Sequence, residues 1–243
     1  MTTAPTSLTD RRPRHPLRTI GIAVLAVLVV VGIVFLALSW GERGRLGPQG
    51  GIQGSGVAAT EVRTLPPFTA VDLTGSNIVT IRIGPEQTVE VEADDNLIDH
   101  VTTEVRAGEL VIDQTGDFST NYPMSVTITL PLLDDVALSG SGTMTADGVH
   151  AEALTVDLPG SGTIRISGST DRLEATIGGS GTLFLDDLVA ARATATVAGS
   201  GMIELQVSDE LDASVSGSGA ISYSGDPAKV TRNVTGSGAI TAQ

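Results

Sequence analysis

Apolar residues in the second half of the chain fall two apart, in short runs that recur about every nineteen residues. Each run is registered on the tripeptide Gly-Ser-Gly, which begins at Gly140, Gly160, Gly179, Gly199, Gly217 and Gly236, in steps of 20, 19, 20, 18 and 19 residues. Two residues before each triplet stand Leu138, Leu158, Ile177, Val197, Val215 and Val234. Two after it stand Met144, Ile164, Leu183, Ile203, Ile221 and Ile240, and two further on Ala146, Ile166, Leu185, Leu205, Tyr223 and Ala242. Four before it the residues are Val136, Val156, Ala175, Ala195 and Ala213, with Arg232 the exception. Six before it are Leu154, Leu173, Ala193, Leu211 and Val230. A period of two puts these residues on one face of a strand and leaves Thr, Ser, Asp, Glu and Arg on the other. With several glycines in every block, helix is excluded.

A constant interval with variable filling predicts coils stacked in a single-stranded β-solenoid. One coil buries about five apolar side chains at roughly 2 kcal/mol each. Ordering its residues costs on the order of 1–2 kcal/mol apiece. A lone coil therefore cannot fold. Stacked coils cover one another's faces and satisfy one another's amides, about 4.8 Å apart.

The triplets Gly140-Ser141-Gly142, Gly160-Ser161-Gly162, Gly179-Ser180-Gly181, Gly199-Ser200-Gly201, Gly217-Ser218-Gly219 and Gly236-Ser237-Gly238 admit two readings. In the structural one, glycine permits a close approach that a Cβ would forbid, and the serines stack in a hydrogen-bonded column. In the functional one, the serines form a stripe for sugar hydroxyls, or one of them is a nucleophile. No histidine recurs in step to serve as a base, and a catalytic residue appears once rather than six times. The structural reading is the stronger.

Residues 67–135 alternate less regularly and are expected to form broader capping coils, followed by the repeats over 136–243. Gly75-Ser76-Asn77 before Ile78 resembles a degenerate triplet. Exposed aromatics would suit sugar stacking. Phe118 and Tyr122, which share the loop between Gly116 and Pro123, are the candidate ligand contacts. The chain stops soon after its last triplet, so a bare final coil is expected, open to self-association into a homo-oligomer or to a partner.

The N-terminal quarter reads differently. Residues 20–38 are apolar without a charge, preceded by Arg11, Arg12, Arg14 and Arg18. This predicts one transmembrane α-helix over 20–40, a cytoplasmic basic tail over 1–19, a flexible Gly/Pro-rich tether over 41–66 and an extracytoplasmic solenoid over 67–243. The expected location is a cell membrane, in single-pass topology. A cleaved signal peptide is the competing reading.

From residue 46 onward eight Lys or Arg stand against 26 Asp or Glu, a net charge near −18. That argues against nucleic acid and anionic lipid as ligands, both of which need basic surface. There is no cysteine, so stability rests on packing. No zinc, phosphate-loop, nucleophile-elbow or dinucleotide spacing occurs. The acidic pairs Asp94-Asp95, Asp134-Asp135 and Asp186-Asp187 supply oxygens of the kind calcium takes, but the calcium-binding nonapeptide is absent and such pairs are ordinarily solvated turns. Neither a metal nor a cofactor is expected. A polysaccharide lyase would want clustered cations. Arg165, Arg172, Arg192, Lys229 and Arg232 are few, although Arg165, Arg172 and Arg192 lie in adjacent blocks.

One further pattern covers Pro67 to Gln243. Phe68-Thr69-Ala70-Val71 opens it, followed by Asp95-Asn96-Leu97 and Gly108-Glu109-Leu110-Val111-Ile112. Val126-Thr127-Ile128-Thr129-Leu130-Pro131 then leads into Ser139-Gly140-Ser141-Gly142. In these segments the chain resembles the head-GIN domain family of auto-transporter adhesins. The resemblance implies a right-handed β-helical solenoid, exported or tethered at a bacterial envelope, and supplies no catalytic residues. The function expected is a membrane-anchored binding or adhesion module for envelope glycan or a protein partner, without catalysis. The alternatives are a structural or stress-linked envelope protein partnering another membrane protein, and a polysaccharide-active enzyme.

Overall fold

The alternating columns become the inner wall of a parallel β-solenoid in the computed structural model, which describes residues 51–243 except Asn121. Thr143–Leu158, Thr163–Ile177, Thr182–Val197 and Met202–Gly217 each form one long bent strand around most of a coil. Ala220–Ser224, Lys229–Gly236 and Ala239–Ala242 complete the last turns. Neighbouring coils pair in parallel with like residues in register: Met144, Ile164, Leu183, Ile203, Ile221 and Ile240 form one column. Leu154, Leu173, Ala193, Leu211 and Val230 form another. Both columns are buried until the last coil, and together with their neighbours they make one continuous core. The corner within a coil is a shift of register, as between Arg165 and Gly168, inside a continuous strand rather than a break.

The early coils are more involved. Ala70–Leu73 and Ile78–Ile83 lie in register with Asp135–Leu138 and with the start of Thr143–Leu158. Gly75 therefore stacks directly on Gly140. On their other side run Glu109–Gln114 and Ser125–Leu130, also parallel. Stacking order thus departs from chain order: segment 109–130 lies outside 70–83, and the chain then crosses to the opposite side at Asp135. Three antiparallel strands finish this end. Thr88–Asp94 pairs with Ser125–Leu130, Ala58–Arg63 with Thr88–Asp94, and Val101–Arg106 with Glu109–Gln114. Arg63 secures the corner by donating to the carbonyls of Ile98 (3.1 Å) and Val101 (2.6 Å).

At the far end Arg232 takes the inward position that Val136, Val156, Ala175, Ala195 and Ala213 fill in the other coils. Its guanidinium hydrogen-bonds the Tyr223 hydroxyl and lies over that ring, 5.2 Å from the centroid. The final coil stays largely exposed: over Lys229–Gly236 and Ala239–Ala242 only Val230 and Ile240 are even partly buried. An inward-turned cation is one of the devices that blunt a strand edge, although Val234 stays 45% exposed.

Two expectations are corrected. Among the described residues no helix is long and apolar enough to cross a membrane. The helix described, Ile98–His100, has three residues, against the roughly 20 a span requires. The helix expected over 20–40 and the tail 1–19 lie outside the described residues. Over the described residues the fold is an all-β solenoid with no membrane-crossing helix among its elements. The single-pass anchor, the membrane as partner and the cell-membrane location that rested on it are set aside. Second, the part of the expected tether beyond residue 50 is paired rather than loose: Ile52–Gln53 runs parallel to Phe118–Ser119, and Ala58–Arg63 joins the sheet.

Candidate functional site

The glycines of the triplets sit where coil backbones touch. A Cβ on Gly160 would lie 2.2 Å from the Gly140 carbonyl oxygen, and one on Gly162 would lie 2.4 Å from that of Gly142 and 2.5 Å from the Leu138 side chain. The same contacts recur down the stack. The serines between them are exposed. Their amides, not their hydroxyls, join the coils: Ser161 N–H donates to Gly140 (3.1 Å), and Ser180, Ser200, Ser218 and Ser237 repeat the bond at 2.9–3.3 Å. Among the described residues the one histidine–serine hydrogen bond, His150 Nδ1 to Ser169 Oγ at 2.9 Å, involves no triplet serine and lies exposed at a corner.

Phe118 and Tyr122 have different surroundings. Phe118 is half-buried, packed on the core and tilted against His100 at 6.1 Å between ring centroids. Tyr122 is 42% exposed. Their loop is pinned by the buried Asp94, which accepts from Gly56 N–H (2.7 Å) and Thr120 Oγ1 (2.6 Å). Asp94-Asp95 is therefore a clasp for residues 52–57. Among the described residues no three or more His, Cys, Asp or Glu side chains converge as a metal would need.

The outer face carries its charges in columns too. The position seven before the second to sixth triplets holds Ala153, Arg172, Arg192, Glu210 and Lys229, in register from coil to coil. Five before it stand Asp135, Thr155, Glu174, Thr194, Asp212 and Thr231. Between these columns opens a groove of about 390 Å³, lined among others by Arg172, Glu174, Arg192, Thr194 and Asp212. The structure divides the candidate basic patch. Arg165 turns to another face and stacks on Phe184, 4.3 Å from its centroid. Lys229 pairs with Glu210, and Arg232 goes inward. Arg172 and Arg192 remain as register neighbours, and among the described residues neither forms an ion pair. Like charges facing each other across a ladder are destabilising. Counting backward from each triplet finds this pair in the sequence; counting forward misaligns it, because the corner absorbs one residue.

Towards the early coils the same face turns acidic. Asp135 is half-buried, and its carboxyl is pushed up to about 6, first by desolvation and then by Asp157, Glu109, Asp134 and Asp72. Asp72 is also raised, by burial and by Glu109 and Asp113. A carboxyl raised on folding favours the protonated native state, so its contribution is full below the unfolded value near 4 and is lost as pH rises through 6. Asp135→Asn should therefore raise the melting temperature at pH 7.5 by a few degrees, about 2–4 °C per kcal/mol in a domain this size. It should change it little at pH 4. A circular-dichroism melt giving equal shifts at both pH values would contradict this.

Comparison with known proteins agrees with the fold. The structure is similar to that of a "putative adhesin" from Bacteroides fragilis NCTC 9343, with 20% identity, a TM-score of 0.66, and 79% of this chain and 100% of that one covered. It is similar also to a "putative adhesin" from Parabacteroides merdae ATCC 43184, with 20% identity, a TM-score of 0.50, and 79% and 98% covered. At such identity these likenesses speak to the fold alone. No curated protein matches the chain. The family model described as "Putative auto-transporter adhesin, head GIN domain" matches residues 67–227. These residues run from the antiparallel end through the coils that carry the groove, and the chain belongs to that head GIN domain family.

Proposed function

We propose that the solenoid is a binding or adhesion module that holds an envelope glycan or a protein partner on the outer face of its coils. The role is non-enzymatic, in keeping with a family whose name is that of an adhesin domain. The observation that carries the reading is the groove beside Arg172 and Arg192. It is built by rigid, fully paired coils, and two cations in it have no ion-pair partner among the described residues. Sites on regular elements hold their geometry better than sites on loops, and a groove of this size suits a segment of a polymer.

The full chain should pellet saturably with purified bacterial cell-wall material. Ala153→Trp, an exposed substitution at the groove wall, should abolish that binding while leaving the melting temperature within about 2 °C, as surface changes do. Undiminished pelleting of the tryptophan variant would remove the groove from the reading. No saturable pelleting of the native chain would count against adhesion to glycan.

A further inference from the structure

Resting on the binding-module reading, we infer that the groove is selective for carboxylated sugars, with the Arg172 and Arg192 guanidiniums sharing the carboxylate of a uronate unit. The two residues occupy adjacent coils in strict register, so their backbones stand about 4.8 Å apart. Two forked donors at that spacing converge on one planar oxyanion more readily than on separate targets. Arg172 is free because its neighbour in the preceding coil is Ala153. Arg192 is free because Glu210, its neighbour in the next coil, is taken by Lys229.

The rest of the lining narrows the class. Glu174 and Asp212 stand on the column beside the arginines, with Thr155 and Thr194 interleaved. Carboxylates accept hydrogen bonds from hydroxyls, and threonine hydroxyls both donate and accept. A ligand with a single negative charge among neutral hydroxyls meets a partner at every position. A dianionic phosphate would face Glu174, Glu210 and Asp212 at close range, and a neutral sugar would leave two guanidiniums unmatched.

An acidic peptide fits less well. Extended peptides are held chiefly through their backbone at a sheet edge, and the coils flanking the groove are paired on both sides. A pyranose unit is also about as long as one coil step, roughly 4.8 Å. A chain laid along the solenoid axis thus offers one ring to each coil.

The test is calorimetric titration of the full chain with a neutral oligosaccharide that bears one galacturonate unit and with its methyl ester, which masks the charge and keeps the sugar. Inorganic polyphosphate and polyglutamate serve as further ligands. The acid form should bind about tenfold or more tightly than the ester, the difference expected of a charge-assisted pair. Arg172→Gln/Arg192→Gln should lose a similar factor, and Arg165→Gln, on another face, should lose nothing. Equal binding of acid and ester, or an unaffected double variant, would overturn the inference; so would polyphosphate or polyglutamate bound as tightly as the uronate. Cell-wall pelleting of the double variant separates the two claims. If it persists with no uronate binding, the carboxylate selectivity fails and the module reading stands. If the native chain neither pellets nor binds the uronate, both fail.

Discussion

Gly162→Ala is expected to lower stability by about 3 kcal/mol, at the upper end for overpacking, a drop of about 6–12 °C in melting temperature. The methyl group would enter at 2.4 Å from one backbone oxygen and 2.5 Å from Leu138. That oxygen cannot retreat, since it accepts the Thr163 N–H at 3.1 Å as part of the ladder. Admitting the methyl means parting two coils along a register of many residues. Backbone dihedral strain plays no part here, because the φ of Gly162 is not among the positive ones. Ser161→Ala, one residue away, should change stability by no more than about 0.5 kcal/mol, its side chain being exposed. Thermal and urea melts of the pair decide the matter. A tolerated Gly162→Ala, or a serine variant as damaging as the glycine one, would show that the triplet is not a steric device.

Asp94→Ala should cost about 2–3 kcal/mol, since hydrogen bonds to a charged acceptor are worth about 1.5–3 kcal/mol. The carboxylate is fully buried and joins segments distant in sequence, Gly56 on one side and Thr120 on the other. Much of the loss should be local. Amide exchange at residues 52–57 and 118–119 should accelerate well before the repeats open, because these short segments rest on few contacts besides the clasp. Exchange at Gly56 unchanged in the variant would mean that the strap is held by something else.

The repeat half was nearly all legible beforehand. Val136, Leu138, Met144 and their counterparts fall in columns because a period of two and a period near nineteen are both written in residue type, and both are consequences of burial. The early coils were less so. Alternation shows that Val126, Ile128 and Leu130 share a face, but it is the same in parallel and antiparallel sheets. Nothing local records that 109–130 stacks outside 70–83. The clasp at Asp94 looked like any solvated acidic pair, since its burial depends on a strand more than thirty residues earlier. The groove lay between. Arg172 and Arg192 were visible as cations in successive blocks, but their adjacency depends on where the corner absorbs its extra residue. Phe118 looked like an exposed aromatic because its partner His100 sits on another element.

The inward turn of Arg232 bears on how such a chain can lengthen over evolutionary time. Tandem duplication is the natural way for a repeat array to gain units, and each glycine triplet offers a place for it. Were a unit added beyond Arg232, the new coil would lie over the guanidinium and take it out of water, an expensive burial without a counter-charge. Among the inner columns of the middle coils, Ala175, Ala195 and Ala213 carry no such penalty. New units are therefore expected to arise among the alanine coils rather than over the arginine.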